Sequence, residues 1–136
     1  MVMAMAVAVA RKLSPNVDRA LTRPLASGLS EVRTSRVIEF VEANLGNRIR
    51  LEAMADSAAL SPYHFNRSFK QAMGMSPTRY VLQRRIRHAQ LLLKTTGLTL
   101  AAIAHECGFA SQAHFTGAFK AATGTTPAKF RQVILS

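Results

Sequence analysis

Residues 61–70, SPYHFNRSFK, and residues 111–120, SQAHFTGAFK, bear the side chains best suited to chemistry. Drawn as helices, the first carries Tyr63, Asn66, Arg67 and Lys70 on one face, and the second Gln112, Ala113, Thr116 and Lys120. Side-chain amides and guanidinium groups pair with purine edges, Asn or Gln with adenine and Arg with guanine. Lysines at the helix ends suit phosphates, or simply the negative end of the helix dipole. The chemistry these faces support is recognition of base edges in a major groove.

Such faces need a rigid support. Ser61 and Ser111 are natural N-caps, whose hydroxyls accept a backbone N–H of the first turn, and Pro62 suits the first helical position. Phe65 with Phe69, and Phe115 with Phe119, lie four residues apart on the opposite face and anchor each helix to a core. Upstream, a helix is expected from Thr34 or Ser35, with Val37, Ile38, Val41 and Leu45 at helical spacing and Gly46 ending it. A second follows over 51–58, with Leu51, Met54 and Ala55 inward. Helix, tight turn, helix is the pattern of the helix-turn-helix unit.

Ser76 and Pro77 open a longer helix to about residue 95, with Leu82, Ile86, Ala89 and Leu93 as its apolar stripe and Tyr80 and Leu92 flanking it. Thr99 caps a helix over 100–107, Gly108 supplies a turn, and the second candidate face follows. Thr126 and Pro127 open a last helix. Comparing 61–80 with 111–130 at an offset of fifty, Ser61/Ser111, His64/His114, Phe65/Phe115, Phe69/Phe119, Lys70/Lys120, Ala72/Ala122, Gly74/Gly124 and Pro77/Pro127 are identical. Leu51, Ala53 and Ala55 match Leu100, Ala102 and Ala104 at an offset of forty-nine, so the second turn holds one extra residue. Two copies are too few for a solenoid and suit a pair of readers.

Composition agrees. The chain of 136 residues is 49% apolar, enough for a core, and its net charge of +11 is spread unevenly: +3 over 1–30, −1 over 31–60 and +9 over 61–136. No acidic residue lies between Asp56 and Glu106, where seven cations fall, a field that favours a polyanion such as nucleic acid. Cys107 is alone, which excludes an internal disulfide and points to a reducing, cytoplasmic compartment. No triad surrounds it and the four histidines show no zinc spacing with it, so neither catalysis, a metal nor a cofactor is expected.

The apolar residues 1–10 are too few to span a bilayer, and the positive charge follows them rather than precedes them, unlike a secretory signal; a short helix is expected there. Residues 13–33 read as a linker with one helical turn near 17–21. The expected organisation is therefore an N-terminal helix and linker over 1–33, then a domain over 34–136 comprising one helix-turn-helix (34–80), a linking helix (77–94) and another helix-turn-helix (99–134).

The segments SPYHFNRSFK, GMSPTRYV, RIRHAQLLL, LAAIAHECGF, HFTGAFK and GTTPAKFR, in this order and spacing over about a hundred residues, resemble the DNA-binding domain of the AraC/XylS family of bacterial transcription regulators. The resemblance implies an all-α, seven-helix domain. Two homeodomain-like helix-turn-helix subdomains, joined by the long helix, would place their recognition helices (61–73 and 111–122) in successive major grooves of double-stranded DNA. By similarity, Tyr63, Asn66 and Arg67 read bases in the first subdomain, and Gln112, Ala113 and Thr116 in the second.

Ser61, His64, Lys70, Arg84, Arg87, Ser111, His114 and Lys120 are candidates for phosphate contacts, with a capping, structural or solvated role as the alternative for each. Arg85 is expected to tie the long helix to a subdomain. Gly117 stands where the family often has an arginine, and Ala59 where a turn glycine is usual. No enzymatic activity is expected, since no metal or nucleophile constellation is found, and the resemblance implies activation through RNA polymerase. Many members of the family also carry an upstream effector domain, which the residues before Thr34 are too few to form. The chain is thus read as a stand-alone regulator, or as the DNA-reading part of a larger effector-controlled one.

Overall fold

Seven helices make up the described part of the chain, residues 29–135 of a computed structural model, and no strand occurs there. They are α1 (Glu31–Ala43), α2 (Leu51–Ser57), α3 (Pro62–Met73), α4 (Pro77–Thr95), α5 (Leu100–Glu106), α6 (Gln112–Thr123) and α7 (Pro127–Leu135). The helix expected within 1–10 and the turn expected near 17–21 lie outside the described residues.

Helix α1 starts earlier than its sequence suggests. Ser30, not Thr34 or Ser35, is the cap, its hydroxyl accepting from the Arg33 backbone N–H at 3.1 Å. Leu29, just before it, is buried in the first core, so a packed residue already occurs within the segment read as linker. Gly46 does not end α1. The helix stops at Asn44, whose side-chain amide donates to the Phe40 carbonyl at 2.8 Å.

Two cores form in sequence. Val37, Val41 and Leu45 of α1 and its exit pack on Met54 and Ala55 of α2, Phe65 and Phe69 of α3 and Val81 of α4. Ile86, Ala89 and Leu93 of α4 pack on Ile103 and Ala104 of α5, Cys107 and Phe109 of the next turn, and Phe115 and Phe119 of α6. Helix α4, roughly 28 Å long at 1.5 Å per residue, is thus a wall of both cores. This corrects the expected stripe. Val81 faces the first core while Leu82 stays 36% exposed, because the helix turns one side to the first lobe and another to the second rather than one continuous face to a single core.

Helix ends follow their residues closely. Ser61, Ser76, Thr99, Ser111 and Thr126 each accept from the backbone N–H three residues on, at 3.0–3.3 Å. Gly74 and Gly124 close α3 and α6 in left-handed conformation, their N–H groups donating to Lys70 and Lys120 carbonyls at 2.9 and 2.8 Å.

Candidate nucleic-acid interface

Helices α3 and α6 are pinned from behind by equivalent aromatic chains. Phe65 and Phe69 lie 5.5 Å apart by ring centroid and Phe69 meets Tyr80 at 5.6 Å; Phe115 and Phe119 lie 5.7 Å apart and Phe119 meets Phe130 at 5.4 Å. All four α3 and α6 phenylalanines are fully buried, so each helix is rigidly held with its polar side outward. Residue by residue, exposure over 61–80 repeats over 111–130, so the duplication is one of geometry as well as sequence.

On the first face Tyr63 stands out, 72% exposed. Arg67 Nη1 donates to the Tyr63 hydroxyl at 3.4 Å, a long bond, and its Cζ lies 6.0 Å from the ring centroid. The two side chains are therefore held beside each other before any ligand arrives. Asn66 is half-buried and Lys70 exposed on the same face. On the second face Gln112, Ala113 and Lys120 are exposed and Thr116 is half-buried. Gly117, the counterpart of Arg67, leaves open space, with nothing within 4 Å of where a β-carbon would sit.

Ser61 and Ser111 have their oxygens committed to capping, though each hydroxyl proton remains to be donated outward. His64 and His114 are exposed at the third helical position, and the His114 ring stands edge-on to Phe109 at 5.6 Å.

The three candidate arginines of α4 part ways. Arg84 is turned inward against Glu42 of α1, donating through Nε at 2.6 Å and Nη2 at 3.2 Å, and this carboxylate raises its pKa. A phosphate contact by Arg84, as expected from its sequence position, would therefore compete with a carboxylate that already engages the guanidinium fork. Arg85 is structural, donating through Nε to the Leu45 carbonyl at 3.2 Å and Nη2 to the Asn47 carbonyl at 2.7 Å, with burial lowering its pKa. Only Arg87 remains exposed.

Arg131, which drew no role from its sequence position, does in the second lobe what Arg85 does in the first. It donates to the carbonyls of Leu93, Thr96 and Leu98 at 3.3, 3.1 and 2.7 Å, satisfying the end of α4. Its signal was faint, because it sits at a different position of the repeat from Arg85.

The two helix-turn-helix turns match at an offset of forty-nine. Ala59 has φ +59° and Gly108 φ +82°, and Leu60 and Phe109 donate back to Ala55 and Ala104 carbonyls at 3.0 and 2.9 Å. The extra residue falls after this point, where Ser111 adopts φ −157° against −69° at Ser61. Cys107 is fully buried in the second core, and burial pushes its thiol up to about 11, the opposite of a nucleophile. Among the described residues no group of three or more metal-ligating side chains occurs, and no helix is long and apolar enough to cross a membrane.

Two capped, aromatic-backed helices with outward polar faces, each preceded by a short helix and a tight turn, define a tandem helix-turn-helix domain of DNA-binding type. The helix-turn-helix domain family model matches residues 54–133, and the chain belongs to the AraC/XylS-type helix-turn-helix family.

Among its relatives is the bifunctional transcriptional activator/DNA repair enzyme AdaA of Bacillus subtilis (strain 168). The two are 36% identical over 97 residues, covering 71% of this chain and 46% of that protein. The HTH-type transcriptional activator RhaR of Escherichia coli (strain K12) is 33% identical over 104 residues, covering 76% of this chain and 37% of that protein. The chain therefore spans less than half the length of either. The DNA-binding domain of AdpA, a global transcriptional factor solved in complex with a target DNA, superposes with a TM-score of 0.71 at 29% identity. That match covers 76% of this chain and 93% of the domain.

Proposed function

We propose that the chain regulates transcription by binding a bipartite double-stranded DNA site, laying α3 and α6 into successive major grooves about one helical turn, roughly 34 Å, apart. The observation that carries this reading is the paired repetition of a buried Phe anchor behind an exposed polar face on α3 and α6. Tyr63, Asn66 and Arg67 read one box, and Gln112, Ala113 and Thr116 read the other, with the larger share of specificity in the first because Gly117 carries no side chain. Ser61, His64, Lys70, Arg87, Ser111, His114 and Lys120 hold phosphates, which supply most of the affinity and make it salt-dependent.

RNA polymerase is the partner through which such a site acts, in the cytoplasm. No role in bond-making chemistry is assigned to the described residues in this reading: the one thiol is buried, and the exposed His64 and His114 lie on the two proposed reading helices.

The test is selection of bound duplexes from a random library, followed by affinity against salt for the winners and for a scrambled control. Two short boxes about one turn apart are expected. Equal binding of winners and scramble would overturn the reading.

A further inference from the structure

The two lobes meet at a second place besides α4. Residues Leu45, Gly46 and Asn47, leaving α1, lie against residues Glu106 and Gly108, leaving α5. A β-carbon on Gly108 would fall 2.3 Å from the Leu45 carbonyl oxygen, and one on Gly46 would fall 3.0 Å from the Glu106 carbonyl oxygen. The Arg85 guanidinium fills the junction. It holds the Leu45 and Asn47 carbonyls from one side, and its Cζ and Nε lie 3.0 Å from the Gly108 β-carbon position on the other. The contact is backbone to backbone, which two absent side chains make room for, and a planar fork of donors clamps it.

We infer that Arg85, with Gly46 and Gly108, is a positioning device that fixes the separation and phase of the two recognition helices, and so determines the spacing between the two DNA boxes. A single connecting helix is stiff but curves gently along its length, which leaves the joint some freedom. A second attachment restricts that freedom, because two contacts remove rotations that one allows. The touching loops are also well placed to act: residues 45–47 lead into α2 and residue 108 into α6, so each supports a helix-turn-helix directly. This inference rests on the bipartite reading proposed above.

The test uses the selected boxes in a duplex series whose spacing runs from two base pairs shorter to two longer. Each inserted pair shifts one box by about 3.4 Å and a tenth of a turn. The wild-type protein is expected to lose about tenfold in affinity at one base pair from the optimum, the scale of one mismatched pair. Arg85→Met and Gly46→Ala should bind isolated single boxes as the wild type does, yet lose less than about threefold over the same one-pair steps.

Variants as sharp in spacing as the wild type would overturn the inference, as would a wild type indifferent to spacing although both boxes are selected. Absence of a two-box motif would instead overturn the functional reading itself. Should thermal melting show Arg85→Met unfolded, Gly46→Ala decides, since Gly46 has no left-handed backbone to strain. Spin labels at exposed Gln71 and Ala121, in a Cys107→Ala background, provide a measurement without DNA. One narrow distance distribution is expected, and a broad one would refute a fixed joint.

Discussion

The α-carbon of Gly108 approaches the carbonyl oxygen of Leu45 so closely that a β-carbon there would stand 2.3 Å from it, while Ala59, at the same step of the first turn, already carries one. Both residues are left-handed, at φ +82° and +59°. The first turn therefore bears only conformational strain, whereas the second combines that conformation with a contact between lobes.

Ala59→Gly should accordingly stabilise the protein by about 0.5–1 kcal/mol, the left-handed cost of a β-carbon less the extra chain entropy of glycine. Gly108→Ala should destabilise it by more than about 2 kcal/mol, since strain and overlap add. Denaturant midpoints of the two variants check the contrast, and equal and opposite shifts would contradict it.

Arg67→Ala should cost about 1–3 kcal/mol of discrimination, confined to one position of one box. Lys70→Ala should weaken binding evenly across sequences and lower the salt slope by about 1. Competition binding against single-base variants of the site, repeated over a salt series, separates the two. Tyr63→Phe removes only the hydroxyl that Arg67 meets at 3.4 Å, and a smaller loss at the same base is expected.

Gly117→Arg should improve both stability and binding. A helix-interior glycine costs roughly 0.8–1 kcal/mol against alanine, and a β-carbon there meets nothing within 4 Å. A higher melting temperature, and a newly preferred guanine in the second box, are the expected outcomes. A stabilised variant with an unchanged motif would place residue 117 away from the bases.

Cys107 gives the fold an alkaline dependence. Its thiol is pushed from an ordinary value of 9.0 up to about 11 by burial, so the folded chain keeps a proton that the unfolded chain releases. Its contribution to stability is full below about pH 9 and is lost progressively as pH rises toward about 11, by roughly 1–3 kcal/mol. Melting curves across that window should fall less steeply for Cys107→Ala than for the wild type, and native Cys107 should resist thiol reagents at pH 8.

Much of this protein is determined locally, and local features are what a sequence displays. A serine before a proline caps a helix wherever it stands, a Phe pair four apart must find a core, and a fifty-residue echo means two copies of one unit. From these the helices, the two outward polar faces and the duplicated fold follow.

What only the tertiary structure decided lies where side chains meet across long sequence separations. The Arg84 carboxylate partner, Glu42, is forty-two residues away, so nothing near Arg84 marked it as engaged rather than free. Val81 rather than Leu82 faces the first core because α4 serves two cores at once, which periodicity along one helix does not reveal. Gly46 has the look of a helix stop, yet it is small because the Glu106 carbonyl presses against it. Arg131 and Arg85 perform one task from different repeat positions, since each must reach the carbonyls at the end of the helix that opens its lobe. Local propensity dictates the pieces; the way the two lobes meet rests on backbone contacts that exist only once both have folded.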